Sequence, residues 1–119
     1  MERKPLGDWG ERSAAQYLER RGWTILDRKF RAGRKEIDLV ARRGEVVAFV
    51  EVKTRVALGY GHPFESIGPR KRRQIASTAQ AWIDRFGDGD SIFRFDAVAV
   101  TRSATGGPEI EHLEDAWGL

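Results

Sequence analysis

Residues 35–55 read KEIDLVARRGEVVAFVEVKTR, and this stretch specifies two strands joined by a tight turn. Ile37, Leu39 and Val40 carry the first strand; Val46, Val47, Phe49, Val50 and Val52 carry the second. β-Branched and aromatic residues on both sides of Arg43-Gly44-Glu45 are a hairpin signal. With Gly44-Glu45 as the turn residues the turn is of type II′, since glycine takes positive φ without steric cost. That register sets Asp38 opposite Glu51, with Lys53 two residues further along the same face. A turn one residue earlier pairs Asp38 with Phe49 and still leaves Asp38, Glu51 and Lys53 on one face, whereas a three-residue loop separates Asp38 from Glu51. Directly opposed carboxylates repel and add nothing to a sheet. A divalent cation turns the repulsion into coordination: Mg²⁺ takes oxygen ligands at about 2.1 Å and is commonly held by one or two carboxylates.

The remaining composition fits a soluble α/β domain. The chain has 119 residues, 40% hydrophobic and 33% charged, which suits a single domain over residues 1–119 and argues against disorder. No apolar run approaches membrane-span length, and Met1–Asp8 has no apolar signal region, so a cytoplasmic protein is expected. The absence of cysteine excludes disulfides and zinc–thiolate sites. Net charge is +3, and the cations cluster between Arg20 and Arg43 and again at Arg70–Arg73. Such runs are the electrostatic footprint of a nucleic-acid binder, or else a solvated basic surface.

Residues 7–21 read as a helix with Asp8 as cap and Gly22 as its stop. Glu11 falls on the apolar stripe of Ala14, Ala15 and Leu18, so it either completes a capping box or enters a site. A strand is expected from Trp23 to Phe30, followed by a basic turn, the hairpin, and a loop over 56–66 holding Tyr60, His62 and Phe64. Pro69–Phe86 reads as a second helix with Ile75, Ala79, Trp82 and Phe86 on its stripe. Cations in its first turns oppose the helix dipole, a cost that favours phosphate binding. Ile92–Thr101 alternates, with Phe93, Phe95, Ala97 and Ala99 on one face and Arg94, Asp96, Val98 and Val100 on the other. A short strand over Ile110–Leu113 and a loose end with Trp117 follow. The order is αβββαβ: a mixed sheet with flanking helices, in which the helix at 69–86 makes the strands it joins parallel.

The stretches GDWGERSAAQYLERRGW (7–23), EIDLVA (36–41), FVEVKTR (49–55), GHPFESI (61–67), KRRQI (71–75) and RFDAVAV (94–100) resemble the bacterial YraN-like family of the PD-(D/E)XK nuclease superfamily. Lys35 stands where that family usually has glycine. The resemblance implies a restriction endonuclease-like core with Glu11, Asp38, Glu51 and Lys53 as site residues. Its nearest functional analogy is with Holliday junction resolvase-like enzymes, which work as symmetric dimers. On this reading Asp38 and Glu51, with Glu11, hold Mg²⁺ or Mn²⁺, and Lys53 orients water or offsets transition-state charge. Arg34, Lys35, Arg55, Arg70, Lys71, Arg72 and Gln74 contact DNA. Asp96 is a rival ligand, expected instead to pair with Arg94 or Arg55, and Glu36 is assigned to the face away from Asp38. Two functions stay open: a metal-dependent endonuclease acting on branched or structured DNA, and a nucleic-acid-binding protein with a relic site.

Overall fold

A computed structural model describes residues 3–56 and 67–117. Helix α1 (Arg3–Arg20) leads into strands β1 (Thr24–Ala32), β2 (Lys35–Arg43) and β3 (Val46–Val56). Helix α2 (Pro69–Phe86) and strands β4 (Ile92–Arg102) and β5 (Pro108–Trp117) complete the order. The five strands form one sheet in sequence order. β1, β2 and β3 are successively antiparallel, β3 and β4 are parallel through the α2 crossover, and β5 closes antiparallel to β4. This is the expected αβββαβ order with one further strand.

Helix α1 starts four residues before the expected boundary, so Asp8 lies inside the helix and does not cap it. Pro5 permits this, because the first turn needs no N–H partners there. The helix stops where glycine requires it. Gly22 has φ +89, its N–H reaches Glu19 O, and the Trp23 N–H reaches Leu18 O, the two bonds of a Schellman motif. Helix α2 begins and ends as the sequence specifies, without a side-chain cap and with no acid in its first turn.

Strand alternation divides the core. Leu39, Ala41, Ala48, Val50, Val52, Val98 and Val100 pack with Ala14, Ala15 and Leu18 of α1. Val40, Val47, Phe49, Phe95 and Ala97 pack with Ile75, Ala79 and Trp82 of α2. The sheet therefore lies between the two helices. Phe86, expected on the buried stripe, is 53% exposed at the helix end, where its ring meets those of Phe30 and Trp82 and the Arg85 guanidinium. The C-terminal segment is no loose end: β5 runs on to Trp117, whose buried ring stacks on Phe95.

Candidate functional site

The hairpin turns at Gly44-Glu45, with Arg43 paired to Val46 and Gly44 at φ +61. Glu45 keeps negative φ, as a type II′ turn needs. The ladder runs to Leu39↔Val50 and stops one step before Asp38 would face Glu51. Antiparallel alternation would next send the Val52 N–H to the Ile37 carbonyl. Instead the Asp38 carboxylate takes it, at 2.7 Å. Asp38 is thus turned into the sheet and held at a fixed point beside β3.

Glu51 and Lys53 have the parity of Val47 and Phe49, which pack under α2. The Glu51 side chain is only 7% exposed, with the Lys71 ammonium of α2 at 3.4 Å. Burial, and then the nearby Glu51 charge, push the Asp38 carboxyl up to about 8 despite the Val52 N–H. Burial raises Glu51 as well, opposed chiefly by Lys71. Lys53 has no ion pair or side-chain hydrogen bond among the described residues, so the ordinary surface salt bridge to Glu51 or Asp38 is not made.

Glu11 approaches from the other layer. A Cβ on Gly10 would overlap the Thr54 side chain, so glycine lets the α1 backbone rest directly on β3 and brings the next residue beside the site. Glu11 is mid-helix and makes no capping box. Its carboxylate binds Lys29 Nζ at 2.9 Å, and Asp8 binds the same ammonium at 3.2 Å. Its charge reaches both Asp38 and Glu51. Lys29 itself has φ +52. The flanking pairs Arg28↔Leu39 and Phe30↔Ile37 set it across from Asp38, outside the ladder. A left-handed lysine costs about 1–2 kcal/mol, and this one sits where strain is often stored, at a cluster of charged groups.

The expected cations divide. Arg34, Lys35, Lys71 and Gln74 line a cavity of about 220 Å³ together with Asp38, Glu36 and Ile75. Glu36 therefore shares Asp38's surroundings, contrary to its assignment to the other face; residues two apart on a strand lie on the same side. It also pairs with Arg31 at 3.1 Å. Arg70 lines an adjoining depression with Lys71 and Gln74. Arg72 turns back, donating to the Ile67 carbonyl at 3.0 Å with Trp117 beside its guanidinium. Arg55 is half-buried on β3. The loop carrying Tyr60, His62 and Phe64 lies outside the described residues.

The donors at Asp38 and Glu51 are hard carboxylate oxygens, the kind Mg²⁺ and Mn²⁺ prefer. Their repulsion is only partly met, and a cation, the Lys71 ammonium, already occupies the space against Glu51. The residues fit such an ion, with Glu11 available behind Lys29. Among the described residues, the three ligand-type side chains whose donor atoms all fall within 4.8 Å are different ones: Asp96, His112 and Glu114. A guanidinium fills that group. Arg94 makes two bonds to Asp96 and one to Glu114, and Arg43 also reaches Glu114. His112 Nε2 lies 2.8 Å from Asp96, and the Asp115 N–H donates to Asp96 at 2.9 Å. Burial would raise Asp96, but His112, Arg94 and that N–H outweigh it and hold the carboxyl below its ordinary value. Asp96 pairs with Arg94 as expected and anchors the bulge where β4 and β5 change register.

Three contributors gave no sequence signal. Lys29 reads as one more basic residue, and nothing local in the sequence marks its left-handed backbone. His112 and Glu114 meet Asp96 only through long-range pairing. Gly10 was legible in principle, as a glycine inside a helical stripe that marks close approach.

A family model, "Uncharacterised protein family UPF0102", matches residues 10–100. A UPF0102 protein of Geobacter sulfurreducens is 47% identical over 116 residues, covering 98% of this chain and 91% of that protein. One from Geobacter metallireducens is 42% identical over 119 residues, covering 100% and 97%; one from Anaeromyxobacter dehalogenans is 44% identical over 115 residues, covering 97% and 85%. The matched span contains Glu11, Asp38, Glu51 and Lys53. The chain belongs to the uncharacterised protein family UPF0102.

Proposed function

We propose that the protein is a metal-dependent endonuclease that hydrolyses phosphodiester bonds in DNA, with branched or structured DNA as its substrate class. One observation carries the reading: Asp38, on a cation-lined cavity, and Glu51, against Lys71 of that cavity, both have raised proton affinity, and among the described residues the Lys53 ammonium acts on Glu51 through its charge without a salt bridge. A plain sheet surface gains nothing from that arrangement.

Asp38 and Glu51 would hold Mg²⁺ or Mn²⁺, which supplies Lewis-acid and water-activating chemistry. The chain's own residues do the rest. The Val52 N–H fixes one Asp38 oxygen in a side chain that lines the cavity. Lys53 orients the attacking water and offsets charge developing on the phosphate. Lys71 leaves Glu51 and, with Gln74 one turn on and Arg34 and Lys35 across the cavity, holds the strand. Glu11 adds negative charge behind the pair. The reading carries a cytoplasmic location and, by analogy with resolvases, a symmetric dimer. Among the described residues no helix is long and apolar enough to cross a membrane.

A second reading, nucleic-acid binding without cleavage, draws on the Lys71–Glu51 pair, which already neutralises one carboxylate. Incubation with linear, flapped and four-way-junction DNA in Mg²⁺, Mn²⁺ or EDTA separates them. The nuclease reading expects cuts in the metal arms only. Binding to DNA with no cut in any arm overturns it in favour of the second.

A further inference from the structure

We infer that the cleft between α1 and β1 is a second phosphate-binding subsite, which takes the strand on the far side of the scissile bond from α2. The inference rests on the reading of the carboxylates as a phosphodiester site and extends the contacts beyond the α2 side.

The cleft has a volume of about 430 Å³, within the range of about 300–1,000 Å³ typical of small-ligand sites. Four of its eight lining residues are cations: Arg12 from α1, and Arg28, Lys29 and Arg31 from β1. Two of the acids are Glu11 and Glu36. Glu11 acts electrostatically on Asp38 and Glu51, and Glu36 also lines the α2-side cavity. The two cavities therefore adjoin at Glu36, two residues from Asp38, with a bank of cations in each.

The cations in the α1–β1 cleft differ in commitment. Lys29 is bound to Asp8 and Glu11, and Arg31 to Glu36. Arg12 and Arg28 are exposed and, among the described residues, their guanidinium groups have no ion pair, hydrogen bond or ring contact. Two uncommitted guanidiniums lining one concave space, in which Asp8 and Glu11 share Lys29 and Glu36 pairs with Arg31, match a phosphate, which accepts paired N–H donors from arginine. Lys29, left-handed at φ +52, gives its ammonium to Asp8 and Glu11, so Arg12 and Arg28 are the cleft's uncommitted cations. A strand bound along both banks passes Glu36 and Asp38 between them. The small volume suits a single strand, consistent with flaps and junction arms.

The test measures binding of a fluorescently labelled single-stranded oligonucleotide in EDTA, where nothing is cut, as a function of salt. Arg12→Gln/Arg28→Gln is compared with wild type and with Arg20→Gln/Arg85→Gln, which removes the same charge at the C-terminal ends of the two helices. Each lost phosphate contact lowers the logarithmic salt slope by about 0.7 on single strands. The expected result is a slope lower by about 1.4 in the cleft variant, at least a tenfold loss of affinity at low salt, and little change in the control. All three proteins melt together, since the four arginines are exposed. A slope and affinity equal to wild type, an equal loss in both variants, or no binding by wild type overturns the inference. If wild type binds with the expected slopes but cuts no DNA in metal, the subsite stands and the nuclease reading falls.

Discussion

Replacing Asp38 by asparagine should make the metal-free protein more stable at neutral pH and flatten its response to pH. The Asp38 carboxyl is pushed up to about 8 from an ordinary 3.8, by burial first and the Glu51 charge second. Between those values the folded protein keeps a proton that the unfolded chain has released. Stability is therefore fully present at low pH and falls as pH rises, by about 1.4 kcal/mol per unit. From pH 5 to pH 7 the loss is about 3 kcal/mol, or roughly 10 °C in Tm for a domain of this size. Asparagine cannot titrate, has nearly the same shape, and keeps an oxygen for the Val52 N–H.

Thermal melting in EDTA at pH 5, 6 and 7 reads this directly. The gap between variant and wild type should be smallest at pH 5 and widest at pH 7, where the variant melts higher. Glu51→Gln should flatten the curve in the same way, because the two carboxyls titrate as a pair. Parallel pH profiles for wild type and Asp38→Asn would refute the shared burial and repulsion on which the site rests.

Gly10→Ala should destabilise the fold by about 2 kcal/mol or more in urea denaturation, although alanine in a helix is normally favoured by about 1 kcal/mol; overlap with Thr54 reverses the sign, and Thr54→Gly should recover part of the loss. Asp96→Ala should cost about 3–5 kcal/mol, because it strands Arg94 and His112 around a buried site; a loss under about 1 kcal/mol contradicts that role. Charge reversal at Lys71 and Arg72 should weaken DNA binding and lower the salt slope by about 1–2, with Lys71 the larger contributor because Arg72 is tied to Ile67; an unchanged slope assigns both to a solvated surface. Lys53→Ala should slow cleavage while leaving metal affinity within a few-fold of wild type by calorimetry; a matching loss of metal binding would make Lys53 structural.

Much of the fold was legible because it is local. Period-two alternation with Gly44 at the turn fixed the register of β2 and β3, and with it the shared face of Glu51 and Lys53. The stripe through Ala14, Ala15 and Leu18 placed α1, and Pro69 marked the start of α2. What local pattern could not show were the irregularities. Asp38 leaves the ladder to bind the Val52 N–H, Lys29 turns left-handed across from it, and Asp115 at φ +51 forms the bulge that Asp96 holds. Each depends on long-range partners. The same holds for Lys71, whose position in an exposed basic run gives no sign that its ammonium rests on a buried glutamate.

Calorimetric titration of the metal-free protein with Mn²⁺ near pH 7, in two buffers of different ionisation enthalpy, decides whether Asp38 and Glu51 form a metal site. The expected result is one ion per chain, release of close to one proton as the Asp38–Glu51 pair gives up the one it shares, and loss of the binding isotherm in both Asp38→Asn and Glu51→Gln. Binding that persists unchanged in either variant, or no binding by wild type, would contradict it.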